Sequence, residues 1–262
     1  MPQVGYGDGV YVVHLHNPAA LANNIAETTI QDHFIVPFAS RLLKIQVIGT
    51  TKAGTTDPEI TLYKNTTEIV ANKAIATNDT VYSLDLLQGA AQCAVGPGRL
   101  AFSKDDVISM RVKTHAADGA LTAATAICTF KSVTPWIGKR FLVEKISVPN
   151  TTIGSNVSLA TEQGFYIVPG DCELVMAKFI SDNITANATM ALYVNGTIKT
   201  GDTTIAADDT VYTATMVPQV TGINSARRRG CKLKRGDQIS LRCYTDGTGD
   251  NVVPSATVVM VY

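Results

Sequence analysis

The chain has 262 residues and carries 22 basic and 22 acidic side chains, so its formal net charge at pH 7 is zero. This length suits one large domain or two domains of ordinary size, each able to bury a core. A neutral chain lacks the surplus of cations with which general nucleic-acid-binding proteins neutralise phosphates, so we expect no nucleic-acid partner. No apolar run approaches the roughly 18 residues of a membrane-spanning helix, and no secretory signal is apparent, so we expect no membrane partner.

The first predicted element is a flexible N-terminal arm, because Gly5-Tyr6-Gly7-Asp8-Gly9 is rich in glycine and precedes a strand. A phosphate-binding glycine loop follows a strand and begins a helix, so this pattern does not predict a phosphate site. Within the arm we expect Tyr6 and Asp8 to contact a partner.

The next predicted element is a strand from Val10 to His16, in which His14 and His16 point to the same side. Two such imidazoles could hold a metal ion if a third ligand joined them. The second half of the chain contains no histidine. We therefore favour an exposed polar strand face and expect no metal site.

Alternating apolar and polar residues predict further β-strands along the chain. The period of two is unbroken in Ile108–Lys113, and Ile239–Tyr244 repeats the pattern with Ser and Arg on the outer face. A shift by one residue would bury Arg111 or Arg242, so the phase of both strands is well determined. Clusters of Asn, Asp and Gly separate the strands, and we expect seven or eight short strands in each half of an all-β protein.

The second half of the chain repeats the first at an interval of about 131 residues. This interval is far longer than a solenoid repeat of roughly 20–50 residues, so it indicates a duplicated domain. We predict a boundary near Pro135, with a first β-sandwich and its arm in residues 1–135 and a duplicate sandwich in residues 136–262. The matching blocks are Phe34–Pro37 with Tyr166–Pro169, Ile60–Asn65 with Met190–Asn195, Ala76–Tyr82 with Ala206–Tyr212, Asp106–Arg111 with Asp237–Arg242, and Ala124–Phe130 with Ala256–Tyr262.

A short motif in the second half favours one type of sandwich. Lys232–Leu241 contains a hydrophobic residue, two further residues, Gly-Asp, any residue and Ile. This segment resembles the start of a strand in tumour-necrosis-factor-like and viral jelly rolls. The first half departs from the pattern, because Phe102–Ile108 lacks the glycine. The resemblance implies two tandem antiparallel β-sandwiches of the jelly-roll type.

No pattern of catalytic residues is apparent. The sequence lacks G-x-S-x-G, and its paired carboxylates in Lys104-Asp105-Asp106 and Asp208-Asp209 lie at predicted turns, where acids usually cap backbone N–H groups. The integrin-type tripeptide Arg235-Gly236-Asp237 aligns with the first of these turns, which favours a scaffold role. The five cysteines lack the close spacing of a disulfide framework or zinc site, so we expect free thiols. We therefore predict neither an enzyme nor a bound cofactor.

A feature found in only one half is a candidate for function, because the scaffold explains features found in both. Arg227-Arg228-Arg229 is such a feature, since its counterpart by register is Gly96-Pro97-Gly98. Adjacent arginines bind carboxylates or phosphates through paired hydrogen bonds. In a chain without net charge we expect Arg227, Arg228 and Arg229 to bind an acidic protein surface.

As a whole, the chain resembles bacteriophage and other viral virion proteins in its tandem sandwiches, its Thr-, Asn- and Ala-rich strands and its lack of catalytic motifs. The resemblance implies a capsid decoration or cement protein that braces subunits of the major capsid protein or another virion protein. It also implies a homo-oligomer, a trimer by preference, located in the virion after assembly in the host cytoplasm.

Two alternatives remain open. One is a fibre-tip or lectin-like module that binds a carbohydrate receptor, with an exposed ring such as Tyr63 or Tyr193 stacked on the sugar. An aromatic content of 6% and a single tryptophan, Trp136, count against it. The other is a double jelly-roll coat protein, although neither end of the sequence carries the basic arm of a coat that faces a genome.

Overall fold

A computed structural model gives the fold, and every regular element in the part of the chain that it describes is a β-strand. These strands form four sheets in which paired strands run antiparallel, which confirms the prediction of an all-β antiparallel protein. The chain divides into two compact units, one covering Asp8–Pro135 and one that includes Trp136–Tyr262. The described residues are 9–17, 21, 26, 30–53, 56–84, 100–115, 120–133, 140–147, 162–182, 188–207, 209–216, 231–245 and 253–262.

The strands of the first unit are β1 (Val10–Asn17), β2 (Ile30–Ile35), β3 (Ser40–Ala53), β4 (Glu59–Lys64), β5 (Thr67–Ala74), β6 (Tyr82–Leu84), β7 (Leu100–Phe102), β8 (Val107–Lys113) and β9 (Ala120–Ser132). They form two sheets. One has the order β1-β9-β3-β6, with β7 also paired to β3, and the other has the order β2-β8-β4-β5.

The strands of the second unit are β10 (Phe141–Ser147), β11 (Glu162–Ile167), β12 (Cys172–Asp182), β13 (Ala188–Val194), β14 (Thr197–Ile198), β15 (Thr203–Ile205), β16 (Tyr212–Thr213), β17 (Cys231–Leu233), β18 (Gln238–Thr245) and β19 (Val253–Val261). One sheet has the order β10-β19-β12-β16, with β17 also paired to β12. The other has the order β11-β18-β13-β14, with β15 also paired to β13.

Each unit buries a core to which both of its sheets contribute. In the first unit Tyr11 on β1 packs near Phe34 on β2, with 6.5 Å between the ring centroids. In the second unit one cluster of buried residues includes Leu142 and Val258 from one sheet and Leu192 and Leu241 from the other. The described residues contain no helix that is long and apolar enough to cross a membrane.

The central strand β18 has the predicted phase. Its apolar residues Ile239, Leu241 and Cys243 lie in the core, and Arg242 points outward, with its guanidinium 4.0 Å from the centroid of the Tyr193 ring. A stacked cation of this kind contributes about 0.5–1 kcal/mol at an exposed site. In the first unit Arg111 lies over the ring of Tyr63 at 4.1 Å. The pair is therefore a property of the repeated scaffold.

A second feature found in both units is a set of hydrogen bonds that stabilises the turn after β13. Asn195 and Gly196 have φ of 49° and 78°, the left-handed conformations of a tight hairpin turn. The Asn195 amide donates to Asp237 at 2.8 Å and accepts from the Gln238 N–H at 2.9 Å. Asp237 also accepts from the Lys234 N–H at 2.7 Å.

These hydrogen bonds give Asp237 a structural role within Arg235-Gly236-Asp237. The backbone N–H of Lys234 and the amide of Asn195 hold the pKa of Asp237 below its ordinary value, because both donate to the ionised carboxylate. In the first unit Asn65 makes the same two contacts, to Asp106 and to the Val107 N–H.

We predict that Asn195→Ala lowers the free energy of unfolding by about 1–3 kcal/mol, because it removes two hydrogen bonds and places a Cβ-bearing residue without a polar side chain at a positive φ. Asn195→Gly keeps the backbone conformation accessible and should cost less. Urea denaturation of both variants measures the difference. Equal stability of the wild type and the alanine variant would contradict this account of the turn.

Candidate functional site

The residues predicted to contact a partner, Tyr6, Asp8 and Arg227–Arg229, lie outside the described residues, so their arrangement stays a prediction. The predicted metal candidates are described. His14 is exposed on β1, and Nδ1 of His16 lies 2.7 Å from the Thr125 hydroxyl. Within the described ranges, no group of three or more His, Cys, Asp or Glu side chains is placed to hold a metal ion.

The strand pairings identify equivalent residues in the two units. Tyr11 pairs with Phe130, and Leu142 pairs with Met260. Phe130 and Met260 also lie opposite the residue that precedes the bulge in the third strand of their unit. Phe130 is therefore equivalent to Met260. This corrects the sequence alignment, which placed Phe130 with Tyr262, by two residues.

An aromatic cluster fills part of the core of the first unit. Tyr11 stacks on Phe130 at 5.3 Å between centroids, and Phe102 meets Phe130 edge-on, also at 5.3 Å. Phe34 and Phe38 pack against Tyr11. In the second unit the equivalents of Tyr11, Phe34, Phe38, Phe102 and Phe130 are Leu142, Tyr166, Gly170, Leu233 and Met260. Only one of these is aromatic, and it carries a hydroxyl group.

A carboxyl group occupies a core-facing position of β10. Leu142 and Ile146, two residues to either side of Glu144, belong to the core, so strand alternation directs Glu144 to the same face. Its equivalent in the first unit is Val13, which is buried. Burial raises the pKa of Glu144 from 4.5 to about 7, although the charge of the chain's N-terminal ammonium, the backbone N–H of Lys145 and the charge of Lys145 all favour the ionised form.

Three more polar side chains interact with one another or with Glu144: Tyr166 on β11, Cys172 on β12 and Tyr262. The Tyr166 hydroxyl oxygen is buried and has no hydrogen-bond partner among the described residues. Burial raises the pKa of Tyr166, and electrostatic interaction with Glu144, Tyr262 and Cys172 raises it further. The Cys172 thiol and the Tyr262 hydroxyl are hydrogen-bonded to each other. Glu144, Tyr166 and Cys172 are half-buried and Tyr262 is 38% exposed, and we call these four residues the Glu144 cluster.

The Glu144 cluster has one group whose pKa lies near neutral. Burial raises the pKa of Cys172 to about 11 and that of Tyr262 to about 12, so both stay protonated at pH 7. Glu144, with a pKa of about 7, exchanges a proton there. The cluster therefore changes by one charge between mildly acidic and mildly basic conditions.

The sheet that contains β11, β18 and β13 carries three exposed apolar side chains on its outer face, which we call the exposed strip. Phe165 is 65% exposed, Ile167 is 48% exposed and Tyr244 is 39% exposed. Phe165 and Ile167 flank Tyr166 on β11, so alternation places them on the face opposite to the core. Phe165 lies across from Ser240 on β18, which in turn lies across from Tyr193 on β13.

The exposed strip is specific to the second unit. The equivalents of Phe165, Ile167 and Tyr244 are His33, Ile35 and Lys113. His33 and Ile35 are buried in the chain. Lys113 forms an ion pair with Glu59 at 3.5 Å. The second unit thus has aromatic rings where the first has an imidazole and a charged pair.

The sequence analysis predicted neither the cluster around Glu144 nor the exposed strip. The replacement of Phe34 by Tyr166 is visible in the aligned block, but the match of Val13 with Glu144 is not. Nothing in a single strand sequence indicates whether the outer face of β11 is covered. The signal that was available was the one applied to Arg227–Arg229, namely a difference between repeats.

Neither a protein-family model nor a curated protein sequence matches the chain. Similar solved structures include PNGF-II, with a TM-score of 0.36, 9% identity and 95% of this chain covered. This chain spans 64% of the length of PNGF-II. The major capsid protein P2 from bacteriophage PM2 has a TM-score of 0.26 and 10% identity, with 96% of this chain and 98% of that chain covered. PNGase F, a glycosylasparaginase from Flavobacterium meningosepticum, has a TM-score of 0.25 and 11% identity, with 95% and 96% covered.

The prediction that this chain is not an enzyme is contradicted, because the structures similar to it include a glycosylasparaginase. The prediction rested on missing sequence motifs, and catalytic residues that a β-fold brings together from distant strands need form no motif. The exclusion of an enzyme is therefore withdrawn. With TM-scores this low, none of these similarities assigns a reaction or a partner to the chain.

Strand β11 approaches β10 closely at Gly164. A Cβ atom at this position would lie 3.0 Å from the Ser147 carbonyl oxygen and 3.3 Å from Cγ2 of Ile146. We predict that Gly164→Ala lowers the free energy of unfolding by about 1–3 kcal/mol, because the two strands must separate. Gly201→Ala is the matched control, since its nearest neighbour would lie 3.8 Å away. Thermal denaturation that fails to separate the two variants would contradict the close approach.

Proposed function

We propose that this chain is a virion structural protein of the capsid decoration or cement type found in bacteriophages. In this proposal it consists of two tandem jelly rolls, residues 1–135 and 136–262, that arose by duplication. The strand order supports the jelly-roll assignment. In each unit the first, last and third strands are neighbours in one sheet, and the second, next-to-last and fourth are neighbours in the other.

The observation that carries the proposal is the exposed strip. Solvent-exposed apolar side chains on a rigid sheet are typical of protein–protein contacts, because partner binding removes them from water. Burying one such side chain contributes about 1.5–3 kcal/mol. Phe165, the most exposed of the three, is at a position where the first unit has a buried histidine. The scaffold therefore does not require this aromatic ring.

In the proposed mechanism the chain braces neighbouring subunits of the major capsid protein through several separate contacts. The exposed strip is one contact, and Arg227–Arg229, Tyr6 and Asp8 supply others. Once one contact forms, the next forms at a high effective concentration, which raises the overall affinity without any single strong site. We propose a homo-trimer located in the virion, because closed symmetry repeats each contact on the shell.

A second candidate function is carbohydrate binding by a fibre-tip or lectin-like module. The observation that favours it is that Phe165 and Tyr244 expose aromatic rings on one sheet face that also carries Arg242. Sugar rings stack on such side chains while polar groups bind the hydroxyls. The tyrosine expected to serve, Tyr193, has the Arg242 guanidinium against its ring, which leaves less of it free for a sugar.

We predict that the double variant Phe165→Asp, Ile167→Asp reduces co-sedimentation with capsids of the parent virus at least tenfold, because two charges replace apolar contacts. Val81→Asp is the matched control, since Val81 is 51% exposed and belongs to the first unit, whereas the strip belongs to the second. Full binding by the double variant would contradict the proposed contact. Loss of binding to a glycan array with capsid binding intact would favour the carbohydrate candidate.

A separate test addresses the arginine segment and the coat alternative. Replacing Arg227–Arg229 with serine should weaken capsid binding and make it less sensitive to salt, because three cations are removed. Sedimentation velocity of the wild type should give a compact trimer. Shell-sized particles in sedimentation velocity would instead identify the chain as the coat protein. Full capsid binding by the serine variant would show that Arg227–Arg229 are not part of the contact.

A further inference from the structure

Strand β11 forms an open edge of its sheet. Among the described strands it pairs only with β18. The N–H of Val168, directly after β11, donates at 2.8 Å to the carbonyl of Asp237, directly before β18. Because the backbone groups of successive strand residues point in alternate directions, the N–H and C=O groups of Phe165 and Ile167 point away from β18. These outward groups form no hydrogen bond with any other described residue.

The first unit closes the equivalent edge with a carboxylate. Asp32 on β2 is buried, and its Oδ1 atom accepts the N–H of His33 at 2.9 Å. Its Oδ2 atom accepts the N–H of His16 on β1 at 2.6 Å. One side chain therefore binds an outward N–H of β2 and joins that strand to β1. A charged side chain directed into a sheet edge is one of the features that prevent pairing with a further strand.

The second unit lacks this closure. The pairings of β2 with β8 and of β11 with β18 each skip one residue, and the residue after the skip is Asp32 in the first unit and Gly164 in the second. Phe165 is therefore equivalent to His33. Gly164 has no side chain that could accept the Phe165 N–H. Since Phe165 also belongs to the exposed strip, the open backbone groups and the exposed apolar side chains lie on the same strand.

We propose that β11 accepts an extended strand of a partner protein, which adds to the sheet along this edge. Phe165 and Ile167 offer two donors and two acceptors, and an extended backbone carries the complementary groups at the same two-residue spacing. A helix uses its own N–H and C=O groups internally and cannot match them. Alternate side chains of the added strand would pack beside Phe165 and Ile167 on the outer face, so we expect apolar or β-branched residues there.

The partner that supplies the strand follows from the role proposed for the chain. If the exposed strip binds the major capsid protein, the added strand belongs to an extended segment of that protein, and this assignment rests on the proposed function. The open edge itself does not, because it follows from the strand pairing and from the exchange of Asp32 for Gly164. Main-chain hydrogen bonds would then add to the apolar contact of the exposed strip and fix the direction of the bound segment.

The test is hydrogen–deuterium exchange at single-residue resolution, on the isolated chain and on the chain bound to capsids of the parent virus. In the isolated chain the amides of Phe165 and Ile167 should exchange roughly a hundredfold faster than the amide of Tyr166, whose N–H points toward β18. On capsids the amides of Phe165 and Ile167 should become as protected as that of Tyr166. Protection of both amides already in the isolated chain would overturn the proposal.

A pair of variants at Gly164 tests the edge by closing it. Gly164→Asp supplies the carboxylate of the first unit, and Gly164→Ala is the matched control, since both place a Cβ atom 3.0 Å from the Ser147 carbonyl oxygen. Slower exchange of the Phe165 amide in Gly164→Asp would verify the cap. We expect Gly164→Asp to bind capsids roughly tenfold more weakly than Gly164→Ala, because one main-chain hydrogen bond to the partner is lost. Equal capsid binding by the two variants would overturn the proposal.

The outcomes separate this proposal from the proposed function. Capsid binding in which the amides of Phe165 and Ile167 exchange as fast as in the isolated chain would overturn strand addition alone. Absence of capsid binding would contradict the proposed function, and the edge is then tested with the synthetic peptide acetyl-Lys-Val-Thr-Val-Thr-Lys-amide and its fully N-methylated form. Shifts of the Phe165 and Ile167 amide resonances with the first peptide alone would support the open edge, and no shift with either would overturn it.

Discussion

Each unit is closed by its last strand, and the rest of its structure depends on that closure. β9 lies between β1 and β3, and β19 lies between β10 and β12, so the start and the end of each unit meet in one sheet. β10 pairs with no other strand than β19 among the described elements. Docking of β19 therefore holds Glu144 against the core and presents Ile146 and Ser147 to Gly164. Such contacts are distant in sequence, and their loop-closure entropy must be overcome before the local packing around β11 can form.

The two units show how one strand order accommodates different interiors. In the first unit rings fill the space around Phe130, while in the second the equivalent positions hold smaller side chains and Gly170. Tyr262 occupies part of the space that this glycine leaves, since a Cβ at Gly170 would lie 3.4 Å from its Cε1 atom. A core accepts such exchanges when volume and apolar pattern are roughly kept. The second unit departs from that rule at Glu144, where a group that can carry a charge replaces the buried Val13 of the first unit.

The sequence was most informative where one face of a strand is buried and the other is not. In Ile239–Tyr244 the alternation determined the phase, and Arg242 lies outside as predicted. β10 was harder, because Phe141, Leu142 and Val143 are all buried, so alternation alone does not show which way Glu144 points. Its direction depends on pairing with Val258, which only the fold reveals. The failed exclusion of an enzyme has a related cause, since the absence of local motifs says little about residues that distant strands bring together.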